Sequence, residues 1–257
     1  MSIAVARVRG VSRKFGPKLA LENVDFEVRP GEVVALMGVN GSGKSTLLRL
    51  VLGLLVPTVG EVELFGARPC LAGRRRAGFV PEQRSLFLDM TAGAQLQWWA
   101  RMHGLEGREA SQAVDIWLRR VGLLDRKETK VASFSKGMQQ RIQLGSALVH
   151  QPDLVLLDEP FSGLDPLGRE VVATVLGEER ARGAGMVLCT HDLSPMESIC
   201  DRVVVLSGGK KILDISSTAL RAIAGPAGRL HDTVVRSMRD VGTPGWSLAV
   251  DGLEGAA

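Results

Sequence analysis

The stretch MGVNGSGKST, Met37 to Thr46, constrains the fold more than any other ten residues of the chain. It follows the uninterrupted apolar run Val33-Val34-Ala35-Leu36, so a buried strand runs straight into a loop with almost no side chains and then a lone cation. Gly38, Gly43, Lys44 and Ser45 fit the spacing G-x-x-x-x-G-K-[ST]. Glycines without Cβ let successive backbone N–H groups turn inward around phosphate oxygens. A helix opening near Gly43 directs its N-terminal dipole at the same anion. Lys44 can reach β- and γ-phosphates, the Ser45 hydroxyl can ligate Mg²⁺, and Thr46 adds a second hydroxyl nearby. Val39, Asn40, Gly41 and Ser42 complete the loop that would hold the nucleotide.

The surrounding pattern places this loop in an α/β sheet. "NVDFEV" alternates, with Val24, Phe26 and Val28 on one side, as a half-buried strand does. "RPGE" is a turn, Val33 to Met37 reads as a fully buried strand, and a helix is expected from Gly43 to Leu55, closed by Pro57 and Gly60. "EVELFG" then reads as a short strand. Residues 91–149 read as helical: "AVDIWLRRVGL" sets Ala113, Val114, Trp117, Leu118 and Val121 on one stripe. Strands return in "LVLLDEP", "MVLCTH" and "RVVVLSGG", continuous apolar runs of the kind found in buried parallel sheets. The expected organisation is one α/β unit over residues 1–215, interrupted by a helical subdomain at about 91–149. Beyond it, 216–257 reads as an appendage of unassigned structure, frayed at its end, because "GPAGRL", "VGTPGW" and "VDGLEGAA" are rich in Gly and Pro.

The second half of the site is the run "LVLLDEPFSGLD". An apolar strand, Leu154 to Leu157, ends in Asp158 and Glu159, at the end of a strand where α/β proteins bind ligands. Asp158 would hold Mg²⁺, directly or through water. Glu159 would act on the attacking water as general base or orienter. His191 likewise follows a buried strand and precedes Asp192, a setting that His103, His150 and His231 lack.

Taken in order, these motifs resemble the ATP-binding cassette family, the ATPase subunits of membrane transporters, over about Ala4 to Asp214. Gly38 to Thr46 is similar to the Walker A loop, and Leu154 to Glu159 to the Walker B strand and catalytic glutamate. Ser162 to Pro166 is similar to the D-loop, which brings Asp165 to the nucleotide. "THD" around His191 resembles the switch histidine, a γ-phosphate sensor, and Phe15 stands where the family stacks an aromatic on adenine. "FSKGMQQR" from Phe134 looks like the family signature, with Lys136 and Met138 departing from its common form. Ser135 and Gly137 remain, a hydroxyl and a close backbone at a helix N-terminus suited to a γ-phosphate. The usual Q-loop glutamine falls on Glu82, with Gln83 beside it, and the sequence leaves open which of the two contacts the metal or the water.

The resemblance implies a P-loop NTPase-type sheet core, with antiparallel N-terminal strands and the helical subdomain inserted. It implies an ATPase using ATP and Mg²⁺, with Glu159, His191 and Lys44 as catalytic residues and Ser45 and Asp158 on the metal. In the family each ATP lies between one copy's phosphate loop and the other's signature. A single set of motifs therefore implies a homodimer, or a heterodimer with a similar ATPase subunit. The SKGM form and the Q-loop glutamate resemble exporter-type members.

Bulk properties agree and exclude little. With 45% hydrophobic and 23% charged residues the chain is an ordinary globular one. No apolar run approaches the ~20 residues of a membrane helix, and the N-terminus lacks the pattern of a signal peptide. The expected place is the cytoplasmic face of the inner membrane, bound peripherally to separate transmembrane permease subunits. The net charge of +4 separates no partner class; no nucleic acid is expected. Arg74-Arg75-Arg76 reads as a solvated loop. Cys70, Cys189 and Cys200 read as reduced, mostly buried thiols. Relatives that act on ribosomes or DNA are the alternative, but the long coiled coil or second cassette usual among them is absent. A nucleotide-binding regulator without hydrolysis is disfavoured by Glu159 and His191.

Overall fold

The computed structural model describes residues 4–83, 85–225 and 228–240. Their order is β1 (Ala6–Phe15), β2 (Lys18–Val28), β3 (Val33–Met37), α1 (Lys44–Val51), β4 (Val59–Leu64), α2 (Leu71–Arg75) and β5 (Ala77–Val80). The helices α3 (Ala92–Met102), α4 (Gly107–Arg120) and α5 (Lys136–Leu148) follow, then β6 (Leu154–Asp158), α6 (Pro166–Ala181) and β7 (Gly185–Cys189). The described chain ends with β8 (Arg202–Ser207), β9 (Lys210–Ser216), α7 (Ser217–Ala224) and α8 (Leu230–Asp240). Among these residues no helix is long and apolar enough to cross a membrane.

Two sheets form. One has the order β5-β6-β7-β3-β8-β9, parallel except for the antiparallel β8–β9 pair. The other is antiparallel, β2-β1-β4. The unbroken apolar runs are explained by burial on both faces of the larger sheet. Side chains alternate along a strand, and here they alternate between two cores. Val33, Ala35, Met37, Val155 and Leu157 join one that also contains Leu96, Val114, Trp117 and Ile142 of the helical segment. Val34, Leu36, Leu154 and Leu156 join the other, with Leu47 and Leu48 of α1 and with Val8, Val24 and Phe26 of the antiparallel sheet.

This division positions the phosphate loop. An eight-residue helix such as α1 is too short to persist alone. Burying Leu47 and Leu48 completely contributes roughly 1.5–3 kcal/mol each and pins it to the sheet. The helix is shorter than the pattern predicts. It stops at Val51 because Gly53 takes φ 66° and the amides of Leu54 and Leu55 turn back to the Arg49 carbonyl. The arginine cluster also differs from expectation. Arg74 and Arg75 end α2, and Arg76 binds Asp153 at 2.8 Å while lying 4.0 Å from the centre of the Phe65 ring. Cys189 and Cys200 are buried, whereas Cys70 is exposed. The tail contains two helices, α7 and α8. Its glycine-rich ending, including "VGTPGW" and "VDGLEGAA", lies outside the described residues.

Candidate nucleotide site

The loop between β3 and α1 depends on two glycines. Gly38 has φ 154°, and a Cβ there would sit 2.4 Å from the Leu206 carbonyl oxygen and from Ser42 Oγ. Gly43 has φ 109°, and a Cβ would meet Leu21 Cδ2 at 2.5 Å and the Ala20 carbonyl at 2.7 Å. Any side chain at either position would push the loop off the sheet. Lys44 opens α1 and is buried. Its amine donates to the carbonyls of Gly38 at 2.6 Å and Val39 at 3.3 Å, and it makes no ion pair among the described residues. Ser42 Oγ is buried without a hydrogen-bond partner.

β6 brings the carboxylates. Asp158 shares a strand face with Leu154 and Leu156, the side occupied by α1, and Ser45 Oγ donates to its Oδ2 at 2.6 Å. The chain then leaves the strand at Glu159 with φ 53°, a region few non-glycine residues enter. The Glu159 amide donates to the Cys189 carbonyl at 3.0 Å, and the reversal carries its Oε1 to 3.0 Å from His191 Nδ1. Burial and the Asp158 carboxylate hold the Cys189 thiol well above its ordinary value, hence protonated.

The hydrogen bond to Glu159 raises the proton affinity of His191; partial burial opposes it, and the charges of Glu159 and Asp192 add to it. Because the folded value lies above the free one, the pair's stabilisation is complete below pH about 6.5 and fades as pH rises through the raised value. The His191 side chain is 61% exposed, so solvent keeps the effect small. The urea midpoint of the parent should exceed that of His191→Gln most near pH ~6, and the gap should close on titration upward. A gap that widened with pH would contradict the pairing.

The loop and the carboxylates face a cleft of about 390 Å³ lined by Phe15, Lys18, Ala20, Asn40, Gly41, Gly43, Lys44, Ser45, Thr46, Glu82, Asp158 and Glu159. Phe15 is half exposed there, with Arg13 4.6 Å over its ring. Glu82 faces the cleft and Gln83 does not. Lys18 and Ala20 are lining residues the motifs did not indicate. The available signal was the short turn that pairs Phe15 with Lys18 across β1 and β2. Ser135, Gly137, Asp165 and His191 lie outside the lining. Ser135 caps α5, accepting from the Met138 amide at 3.3 Å, and Asp165 caps α6, accepting from the Gly168 amide at 2.7 Å. Gly137 adjoins the D-loop segment, since a Cβ on it would lie 3.6 Å from Leu164 Cδ2.

These residues fit magnesium and a nucleoside triphosphate. A buried ammonium bonded to carbonyls, with no ion pair among the described residues, can take a phosphate as its direct counter-anion. A hydroxyl and one carboxylate in contact suit a hard divalent ion that keeps waters and phosphates as its other ligands.

Comparison with known proteins agrees with the geometry. Residues 21–162 match the ABC transporter family. An ABC transporter ATP-binding protein of Methanocaldococcus jannaschii is 34% identical over 206 residues, 80% of this chain and 75% of that one. The Nod factor export ATP-binding protein I of Burkholderia thailandensis is 37% identical over 217 residues, 83% of this chain and 71% of its own. A solved ATP-binding subunit of an ABC transporter superposes with TM-score 0.81 at 34% identity, covering 90% of this chain and 98% of the other. The cbiO1 subunit of the Clostridium perfringens complex cbiONQ gives 0.75 at 27% identity, covering 91% and 94%. Sequence, fold and site together show that this chain belongs to the ABC transporter family, as one of its ATP-binding, ATP-hydrolysing subunits.

Proposed function

We propose that two copies of this chain, or one copy and a similar ATPase subunit, close head to tail around ATP and drive export through separate transmembrane permease subunits. The observation that carries the reading is the meeting, at one cleft, of a buried Lys44 that makes no ion pair among the described residues, the Ser45–Asp158 contact and Glu159, whose carboxylate His191 holds from outside the lining. Lys44 and the amides of residues 38–46 bind the phosphates, and Phe15 stacks on the base. Ser45 and Asp158 hold Mg²⁺, which when bound neutralises charge on the β- and γ-phosphates. Glu159 orients the attacking water and takes its proton. His191 fixes the Glu159 carboxylate and contacts the γ-phosphate. Ser135, with Gly137 beside it, and Asp165 stand at the starts of α5 and α6, and they serve the partner's nucleotide. Glu82, facing the cleft, takes the Q-loop role in preference to Gln83.

The ATPase unit is residues 1–215 with the helical subdomain at 91–149, held at the cytoplasmic face of the inner membrane. The direction of transport is read from the signature and Q-loop, and the Nod factor export relatives support it. Sedimentation of a Glu159→Gln chain tests the homodimer: ATP with Mg²⁺ should double its mass, and a chain that stays single under both would refute the homodimer in favour of pairing with a similar ATPase subunit.

The permease docks beside α3. Phe87, Trp98 and Met102 are exposed there, with Phe87 and Trp98 edge to face at 5.3 Å. Trp99 packs against the core instead. Trp98→Ala should therefore leave the melting temperature within about 2 °C while weakening co-purification with the permease. Unchanged co-purification would move the docking surface elsewhere.

A further inference from the structure

Residues 216–240 carry no motif, yet α7 and α8 close on the segment that follows His191. That segment, 192–201, has no strand and only a short 3-10 turn, Ser194–Met196. Its polar groups must find partners outside a regular ladder. Several are supplied by the C-terminal helices. The Ser217 amide donates to the Asp201 carbonyl at 2.8 Å. The Arg221 guanidinium donates to the Glu197 carbonyl. The Glu197 carboxylate accepts from the His231 amide at 3.3 Å, in the first turn of α8, where an acid satisfies an orphan donor and meets the helix dipole favourably. Leu220, Leu230 and Val234 are buried in the same apolar cluster as Leu193 and Met196.

Asp192, the neighbour of His191, is held from two directions. It accepts from the Ser194 amide at 2.9 Å and lies 3.9 Å from Arg169 of α6. Burial would raise its proton affinity, but these contacts prevail and hold it below the usual carboxylate range. The His191 ring itself is mostly exposed, and its one hydrogen bond among the described residues is to Glu159. Its position is therefore set by the backbone on either side. β7 fixes the upstream side, and the downstream side leans on α7 and α8.

We propose that the α7–α8 pair braces the switch segment, with Arg221 and Glu197 as positioning residues that keep His191 in reach of Glu159. This rests on the catalytic reading of His191 given above. The contacts that α7 and α8 make with residues 193–201 involve neither the phosphate loop nor the cleft lining, so the brace acts on turnover and not on nucleotide binding.

The test uses the full chain with Arg221→Ala and Glu197→Ala, each alone and combined with His191→Ala. Phosphate release is followed in the steady state over a range of ATP concentrations. Each single variant should lower kcat about five- to tenfold with KM for ATP within about twofold. Amide exchange should quicken over residues 193–200 and stay unchanged over 38–46. Arg221 is exposed, so the fold should survive its loss, and Arg221→Lys should recover part of the rate. In the His191→Ala background neither change should slow the reaction further, because the brace would have nothing left to position. Unchanged exchange over 193–200, a parental kcat in both variants, or an equal loss persisting without His191 would each overturn the brace. A fully active His191→Ala would sink the role given to His191 instead, while the exchange data would still judge the physical contact.

Discussion

Replacing Glu159 by glutamine is expected to slow ATP turnover by about 10²–10⁴-fold while leaving nucleotide binding intact, the range typical of a lost general base. The substitution keeps the size and shape of the side chain and removes the negative charge. The backbone there is held independently, by the bond from the Glu159 amide to the Cys189 carbonyl, so the reversal at φ 53° should persist. Residues kept in sparsely populated conformations cost on the order of 1–3 kcal/mol, and they gather where the geometry serves a function. Here the reversal turns a carboxylate out of the strand and toward His191. Lys44, the Ser45–Asp158 contact and the loop amides all remain in the variant, so ATP affinity should not fall. Removing a carboxylate from beside the triphosphate should if anything strengthen it. Steady-state phosphate release, paired with an ATP titration, separates the two quantities. A variant turning over within about threefold of the parent would remove Glu159 from the base role and pass it to another group.

The parts of this site legible in the sequence are those whose chemistry is local. The loop from Gly38 to Thr46 can be read because a phosphate cradle needs missing side chains at fixed spacing within one turn of chain. The two-sided burial of β3, β6, β7 and β8 can be read because a strand without alternation must be covered on both faces. Other features depend on contacts remote in sequence. The end of α1 was set by Gly53, so the helix stops four residues short of the predicted limit, since apolar periodicity continued through Leu54 and Leu55. Glu82 and Gln83 are adjacent acceptors, and only the path of the loop across the sheet edge decides which faces the cleft. Lys18 enters the cleft through strand pairing, which no motif encodes. The helices of the tail were masked by glycine and proline. What holds them is the burial of Leu220, Leu230 and Val234 against a segment some 25 residues or more upstream.

Lys44→Ala should abolish the response to ATP without harming the empty protein. The Lys44 amine is buried, and its partners are the carbonyls of Gly38 and Val39. Taking an ammonium out of water without an opposing charge is unfavourable, and two carbonyls offset only part of that cost. The truncated chain loses those bonds but also the stranded charge, so its melting temperature without nucleotide should fall by no more than about 2–4 °C or even rise. The triphosphate, by contrast, supplies the missing anion. Losing that contact should raise Kd for ATP by roughly 100-fold, about 2.7 kcal/mol. ATP that protects the parent against unfolding should accordingly give the variant almost no thermal shift at the same concentration. Arginine should not rescue it, because the broad planar fork cannot replace a compact ammonium between two loop carbonyls and a phosphate. The combination is diagnostic in sign. A scaffold lysine would show a large loss of stability in the empty protein and a preserved shift with ATP, and that pattern would displace Lys44 from the centre of the site.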